Sequence, residues 1–231
     1  MRWIFSKLII ILFFLVFSVC SHGQSSLDNP LKKDEFLTLY KSVDDDNNID
    51  FSTQHLNELI LFLDQLGEKI ESKSKKKSLK IIFKEIHKKY FIQYKDNPSF
   101  DKIFSAGIYN CLTASALYSL VFDYLEISYQ IREKPSHVYV VAYPQDLKVI
   151  VESTLPAEGL YQLKDKDLKK VREELYKNKI ISEEESKSIN DDELWEAYVL
   201  ADKEINLQNL IGLHYFNLGI ASIINEDFLR L

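Results

Sequence analysis

The chain has 231 residues, 46% of them hydrophobic and 28% charged, and a formal net charge of −6 at pH 7. That length suits one domain of ordinary size, or one domain with a small appendage, and it can bury a real core. The acidic balance argues against nucleic acid or an anionic membrane surface as the partner.

Residues 1–24 read as a secretory signal. Arg2 and Lys7 give a positive start. The apolar run 8–19 is shorter than the roughly 20 apolar residues a spanning helix needs. Ser21 and Gly23 put small residues before a cut ahead of Gln24. Two alternatives stay open: lipidation at Cys20, which bulky Val19 disfavours, and retention of the leader as an anchor. The signal predicts an exported protein, periplasmic or secreted, with no membrane span once it is removed.

Residues 25–30 form a polar linker, and the spacing of Leu31, Phe36, Leu37, Leu39 and Tyr40 predicts a helix over 31–43. The acidic run 44–50 has Ile49 and His55 where a calcium loop wants Gly and Glu, so it reads as a loop ending in a helix cap. A helix over 55–70 carries the stripe Leu56, Leu59, Ile60, Leu63 and Leu66. The basic run 73–77 reads as a solvated loop. A second helix covers 78–94, with His87 on its outer flank. Asn97-Pro98-Ser99 breaks the pattern. Residues 100–109 are irregular, with Gly107 letting the chain tighten.

The most apolar helix follows over 111–125, its first turn kept slim by Thr113, Ala114, Ser115 and Ala116. Three strand-like runs come next, over 127–132, 138–143 and 148–154, with a turn at Pro144-Gln145-Asp146. Val138, Val140 and Ala142 share one face of the second. Beyond Gly159 the chain turns charged and helical, over 165–177, 182–188, 193–201 and 206–224. Within the last, Leu213-x-x-Phe216-Asn217-x-Gly219 resembles the opening helix of a tetratricopeptide unit. The expected architecture is α+β: a central Cys-bearing helix on a small antiparallel sheet, with helical N- and C-terminal parts. A domain over 25–160 is followed by a helical region over 161–231, possible start of a tetratricopeptide-like array.

Once Cys20 leaves with the leader, Cys111 has no partner in the chain. A buried cysteine serving only as a small core residue is common. This one opens a helix, where the dipole lowers a thiol pKa and free backbone N–H groups can hold an oxyanion. His137 follows 26 positions later and Glu152 15 after that, each on a strand-like run. An imidazole there can take the thiol proton and return it to a leaving amine. A carboxylate beside it can hold the imidazole in register. A turn centred near Gln145 puts 137 opposite about 153, so a slightly offset turn makes His137 and Glu152 neighbours. Glu152 inside an apolar run also needs a partner on energetic grounds. Cys111, His137 and His214 are too scattered for a zinc site, and nothing calls for a cofactor or metal.

The segment from about Asn97 to Gly159 resembles the transglutaminase-like superfamily of papain-type folds. The matching elements are Tyr109-Asn110-Cys111-Leu112-Thr113-Ala114-Ser115-Ala116-Leu117-Tyr118, then Pro135-Ser136-His137-Val138-Tyr139-Val140-Val141, then Val151-Glu152-Ser153-Thr154 with Gly159. The bacterial branch it resembles most often precedes tetratricopeptide repeats. The resemblance implies a papain/transglutaminase-like core with Cys111 as nucleophile, His137 as base and Glu152 as third member. The third member is commonly Asp, and an aromatic residue often follows the His where this chain has Val138. An upstream side chain usually assists the oxyanion hole; Gln93, Asn97 and Asn110 are the candidates. There is no calcium site of the animal transglutaminase kind.

Two functional readings follow. One is a cysteine-dependent acyl-transfer enzyme (peptidase, amidase or transglutaminase) working through a thioester on peptide or cell-envelope amides. The other is an inactive member of the fold serving as a scaffold, with a protein partner on the C-terminal helices.

Overall fold

A computed structural model describes residues 30–40, 49–154, 159–162, 164–199 and 202–224. The leader, the linker before residue 30, the acidic run up to residue 48 and the segment 225–231 lie outside the described residues.

The N-terminal part is helical: α1 (Pro30–Tyr40), α2 (Ile49–Ile70) and α3 (Lys75–Tyr90). The expected stripe of α2 is the buried one, with Leu56, Leu59, Leu63 and Leu66 in the core. Helix α3 contributes Leu79, Ile82, Phe83, Ile86 and Tyr90. It starts earlier than the apolar pattern suggests, because Lys75, Lys76 and Lys77 open it rather than forming a loop. It also ends earlier, at Tyr90. Beyond it the N–H groups of Ile92 and Gln93 both donate to the carbonyl of Gly107, at 2.8 and 3.0 Å. Those bonds draw the chain into a short parallel pair, β1 (Gln93–Tyr94) with β2 (Ile108–Tyr109), Tyr94 beside Tyr109. Between them lies α4 (Lys102–Ala106). Gly107 closes α4 at φ +67°, and a Cβ there would meet Ile92 at 2.6 Å. Only glycine takes that conformation against that wall without strain. His87, expected on the surface, instead packs against Phe83 at 4.1 Å between ring centroids and against Phe91 at 5.0 Å.

Helix α5 (Cys111–Tyr124) is the centre. Every residue from Leu112 to Phe122 is buried. A helix apolar all round can only sit between layers. Beneath it lies a five-stranded antiparallel sheet in the order β6-β5-β4-β3-β7, made of β3 (Tyr129–Lys134), β4 (His137–Ala142), β5 (Val149–Val151), β6 (Leu160–Tyr161) and β7 (Lys203–Ile205). The molecule is therefore α+β.

Val138, Val140, Ala142, Val149 and Val151 face α5 and the N-terminal helices. The opposite face is covered too. Tyr139 and Val141 pack with Leu168 of α6 (Asp165–Lys177), Leu194 of α8 (Asp191–Leu194) and Trp195 in the π turn Trp195–Val199. A short α7 (Glu183–Ser188) links α6 and α8. Burial on both faces explains why β4 reads as a continuous apolar run rather than an alternating one. The last element, α9 (Leu207–Ile224), packs on α5, and β7 before it completes the sheet beside β3. Residues beyond 160 thus supply an edge strand and part of the main core, through Ile205, Leu207 and Leu210. Among the described residues no helix is long and apolar enough to cross a membrane.

Candidate active site

The N-terminus of α5 is held by a capping box. Asn110 Oδ1 accepts from the Thr113 N–H at 2.9 Å, and Thr113 Oγ1 accepts from the Asn110 N–H at 3.0 Å. This satisfies two of the donors a helix start leaves open and fixes Cys111 as the first helical residue. Ser115, one turn on, donates to the carbonyl of Val138 at 3.3 Å. The helix start is thereby tied to the start of β4, where His137 sits.

His137 is the first residue of β4, directly after the two-residue turn Pro135-Ser136, with Ser136 at φ +62°. Proline followed by a positive φ is the arrangement of a type II turn. The β4–β5 register sets the acid. Val140 lies opposite Val151, Val141 opposite Ile150 and Ala142 opposite Val149. Carried three steps on, this puts Thr154 across from His137 and Glu152 across from Tyr139. The sequence arithmetic had 137 facing about 153; the turn is offset by half a residue. Because side chains alternate, that one-step difference decides which face Glu152 occupies. In the observed register Glu152 shares the face of His137.

The three side chains come together. His137 Nε2 and Glu152 Oε2 are 2.7 Å apart. Glu152 Oε1 accepts from the Thr154 hydroxyl at 2.6 Å and from its N–H at 3.1 Å. With Nε2 engaged by Glu152, Nδ1 is the nitrogen left to hydrogen-bond the Cys111 sulfur. Burial pushes the thiol up, but the hydrogen bond and charge of His137, together with the N–H groups of Val138 and Leu112, outweigh it, and Cys111 lies below its ordinary value. His137 is raised to about 9, first by its hydrogen bond to Cys111 and then by Glu152, against a desolvation that lowers it. Glu152 is raised by burial and lowered more by His137 and Thr154, ending below the usual carboxylate value. The arrangement favours a thiolate beside an imidazolium, with the carboxylate behind it.

The sulfur opens into a cleft of about 310 Å³. Its walls include Tyr94, Asp96, Asn97 and Asn110 on one side and Glu133, Lys134 and Ser136 on another. Leu213 and Asn217 of α9 close a third. Of the three side chains considered for an oxyanion hole, Asn97 and Asn110 line this cleft. The Asn110 carbonyl oxygen is committed to the cap, which leaves its Nδ2. Gln93 is exposed and is not among the lining residues. Its neighbour Tyr94 is, and burial and the nearby Cys111 raise the Tyr94 phenol. Sequence reasoning missed Tyr94 because a helix over 78–94 gave it no reason to face the thiol. It missed Thr154 as a ligand of the carboxylate because the strand pattern carries no sign of a side chain folding back two residues.

His214, the other histidine weighed for a metal, is 3% exposed on α9 and lines no part of this cleft. Among the described residues there is no group of three or more His, Cys, Asp or Glu side chains able to hold a metal ion. Comparison with known proteins finds no matching family model, no matching curated protein and no matching solved structure.

Proposed function

We propose that this protein is a cysteine-dependent acyl-transfer enzyme of the transglutaminase-like, papain-type kind, acting on peptide amides. The observation that carries the reading is His137 acting on the Cys111 thiol while its Nε2 meets, at 2.7 Å, a Glu152 that Thr154 holds twice. A merely structural histidine has no need of a half-buried acid that is itself anchored.

The chemistry follows from the charges. The Cys111 thiolate attacks the amide carbon; a C–S bond forms and the carbonyl π pair moves onto oxygen. The intermediate collapses, the C–N bond breaks, and His137 Nδ1 passes its proton to the departing amine. Neutral His137 then takes a proton from water or from a second amine as that nucleophile attacks the thioester, and the thiolate leaves. Water gives hydrolysis and an amine gives crosslinking. Glu152 keeps Nε2 protonated throughout and stabilises the imidazolium. With the leader of residues 1–24, this reading places the enzyme outside the cytoplasm, working on secreted or cell-envelope peptides.

The test is the pH dependence of Cys111 alkylation by iodoacetamide, with His137→Ala alongside. The expected result is a half-titration well below the free-thiol value of about 8.5 that moves up in the variant. A thiol inert at neutral pH, or a profile indifferent to His137, would end the reading. The alternative, a scaffold on the same fold, draws on the exposed Phe216, Ile220 and Ile223 of α9, spaced to share one helical face.

A further inference from the structure

We propose that Tyr94 is a catalytic residue, supplying the side-chain hydrogen bond of the oxyanion hole opposite the backbone N–H of Cys111. The proposal rests on the acyl-transfer reading above and gives it a residue that neither the sequence pattern nor the triad supplies.

Position comes first. Tyr94 is the last residue of β1, and its parallel pairing with Tyr109 fixes it two residues from the thiol in the neighbouring segment. The pairing is rigid at both ends. Gly107 receives the Ile92 and Gln93 N–H groups, and the Tyr109 carbonyl receives the Lys95 N–H at 3.0 Å. Tyr94 packs edge-on against the ring of Tyr109 at 5.9 Å. Its side chain is thereby held in the wall of the cleft into which the sulfur opens.

Then direction. The sulfur is approached by His137 and the Val138 N–H from the sheet and by the Leu112 N–H from the helix. Tyr94 comes from the third side, the β1–β2 pair that lines the cleft. An acyl oxygen lies within about 3 Å of the sulfur it is bonded through, so a donor in the cleft wall beside the thiol is in reach of the oxyanion once the C–S bond has formed. The phenol cannot compete for the proton, because burial and the adjacent Cys111 hold its pKa above the ordinary value and keep it a donor. The N–H of Cys111, at the first helical position, has no acceptor within the helix. The other side chains are less well placed. Asn110 is tied to the helix cap through its side-chain oxygen, which fixes where its Nδ2 can reach, and Gln93 is not part of the cleft wall that Tyr94 lines.

The experiment separates the oxyanion from the thiolate. Iodoacetamide attacks at a saturated carbon and forms no oxyanion; p-nitrophenyl acetate acylates Cys111 through one and releases p-nitrophenolate. Both rates are measured on the full chain for the wild type, Tyr94→Phe and Gln93→Ala. Tyr94 is 48% exposed, so loss of one hydroxyl leaves the packing in place, which a thermal melt verifies. The expected result is acylation by Tyr94→Phe reduced about 100-fold, the loss typical of removing one oxyanion donor. Its alkylation stays within a few-fold of wild type, and Gln93→Ala is unchanged in both. Equal losses in acylation and alkylation would make Tyr94 a tuner of the thiolate only, and unchanged acylation would remove it from the mechanism; either overturns the proposal. A wild type that alkylates rapidly yet is never acylated would instead sink the acyl-transfer reading itself, and Tyr94 with it.

Discussion

Glu152 meets His137 on a diagonal: it sits two residues short of the position directly across the β4–β5 ladder, on the same face, with 2.7 Å between Oε2 and Nε2. A glutamate fits this diagonal because its extra methylene spans the offset, where an aspartate would suit a partner nearer to directly opposite. The length of this carboxylate and the register of the hairpin are thus one fact seen twice.

Glu152→Gln keeps the length and removes the charge. The His137 pKa, about 9 in the wild type, is expected to fall, and that of Cys111 to rise as its imidazolium partner weakens. Titration of the His137 ring by NMR and the alkylation profile of Cys111 read the two shifts independently. An unchanged His137 titration would show that Glu152 does not act on the ring.

Acyl transfer and alkylation should part company at high pH. Above about 9 the imidazolium loses its proton, so the step that protonates the leaving amine slows, while alkylation of the thiolate continues. The turnover rate on a peptide amide is expected to decline on that limb and the alkylation rate to hold. Parallel profiles would mean that His137 is not the general acid.

Gly159→Ala tests the support behind the acid. Its N-terminal neighbours in space are tight: a Cβ would lie 2.0 Å from Phe83 Cζ and 2.7 Å from the Glu152 carbonyl oxygen, while the Gly159 carbonyl already accepts from the Glu152 N–H at 2.7 Å. Overpacking of this kind costs about 1–3 kcal/mol. Pairing the change with Phe83→Leu relieves one of the two clashes, so denaturant melts should show the double variant more stable than the sum of the single losses. Simple additivity would place the strain elsewhere.

Acid stability should follow the buried histidines. Burial lowers both His87 and His214 to about 4, so the fold keeps them neutral while the unfolded chain takes up protons near 6.5. Their contribution is whole above pH 6.5 and drains away as pH falls toward 4. The melting temperature is expected to drop across that window, and less steeply in His214→Gln. An equally steep drop in the variant would assign the acid limb to the carboxylates.

Much of this was legible beforehand, for physical reasons. Helix α5 and the strands after it announce themselves because burial on every side demands unbroken apolar runs, and Cys111, His137 and Glu152 stand out against those runs as polar atoms that need partners. What stayed hidden depends on distance in space. Tyr94 lines the cleft of the thiol only because Gly107 turns the chain into a two-residue ladder, and two residues carry no periodicity. Strand β7, Lys203-Glu204-Ile205, is an edge element with charged residues at two of three positions, so its pattern speaks of solvent rather than of a sheet. The register that puts Glu152 on the correct face is a half-residue matter of turn geometry, set by Tyr143 and Lys148 at positive φ.

Strand β7 and helix α9 follow the other described elements in sequence, yet one pairs with β3 and the other supplies Leu213 and Asn217 to the wall beside the thiol. Residues 94, 111, 137 and 152 leave the ribosome long before that wall exists. A chain that stopped short of β7 would therefore carry Cys111, His137 and Glu152 without that wall. The cleft of the thiol is thus a joint product of segments distant in sequence, and a fragment bounded by residues 94 and 152 would leave that side open.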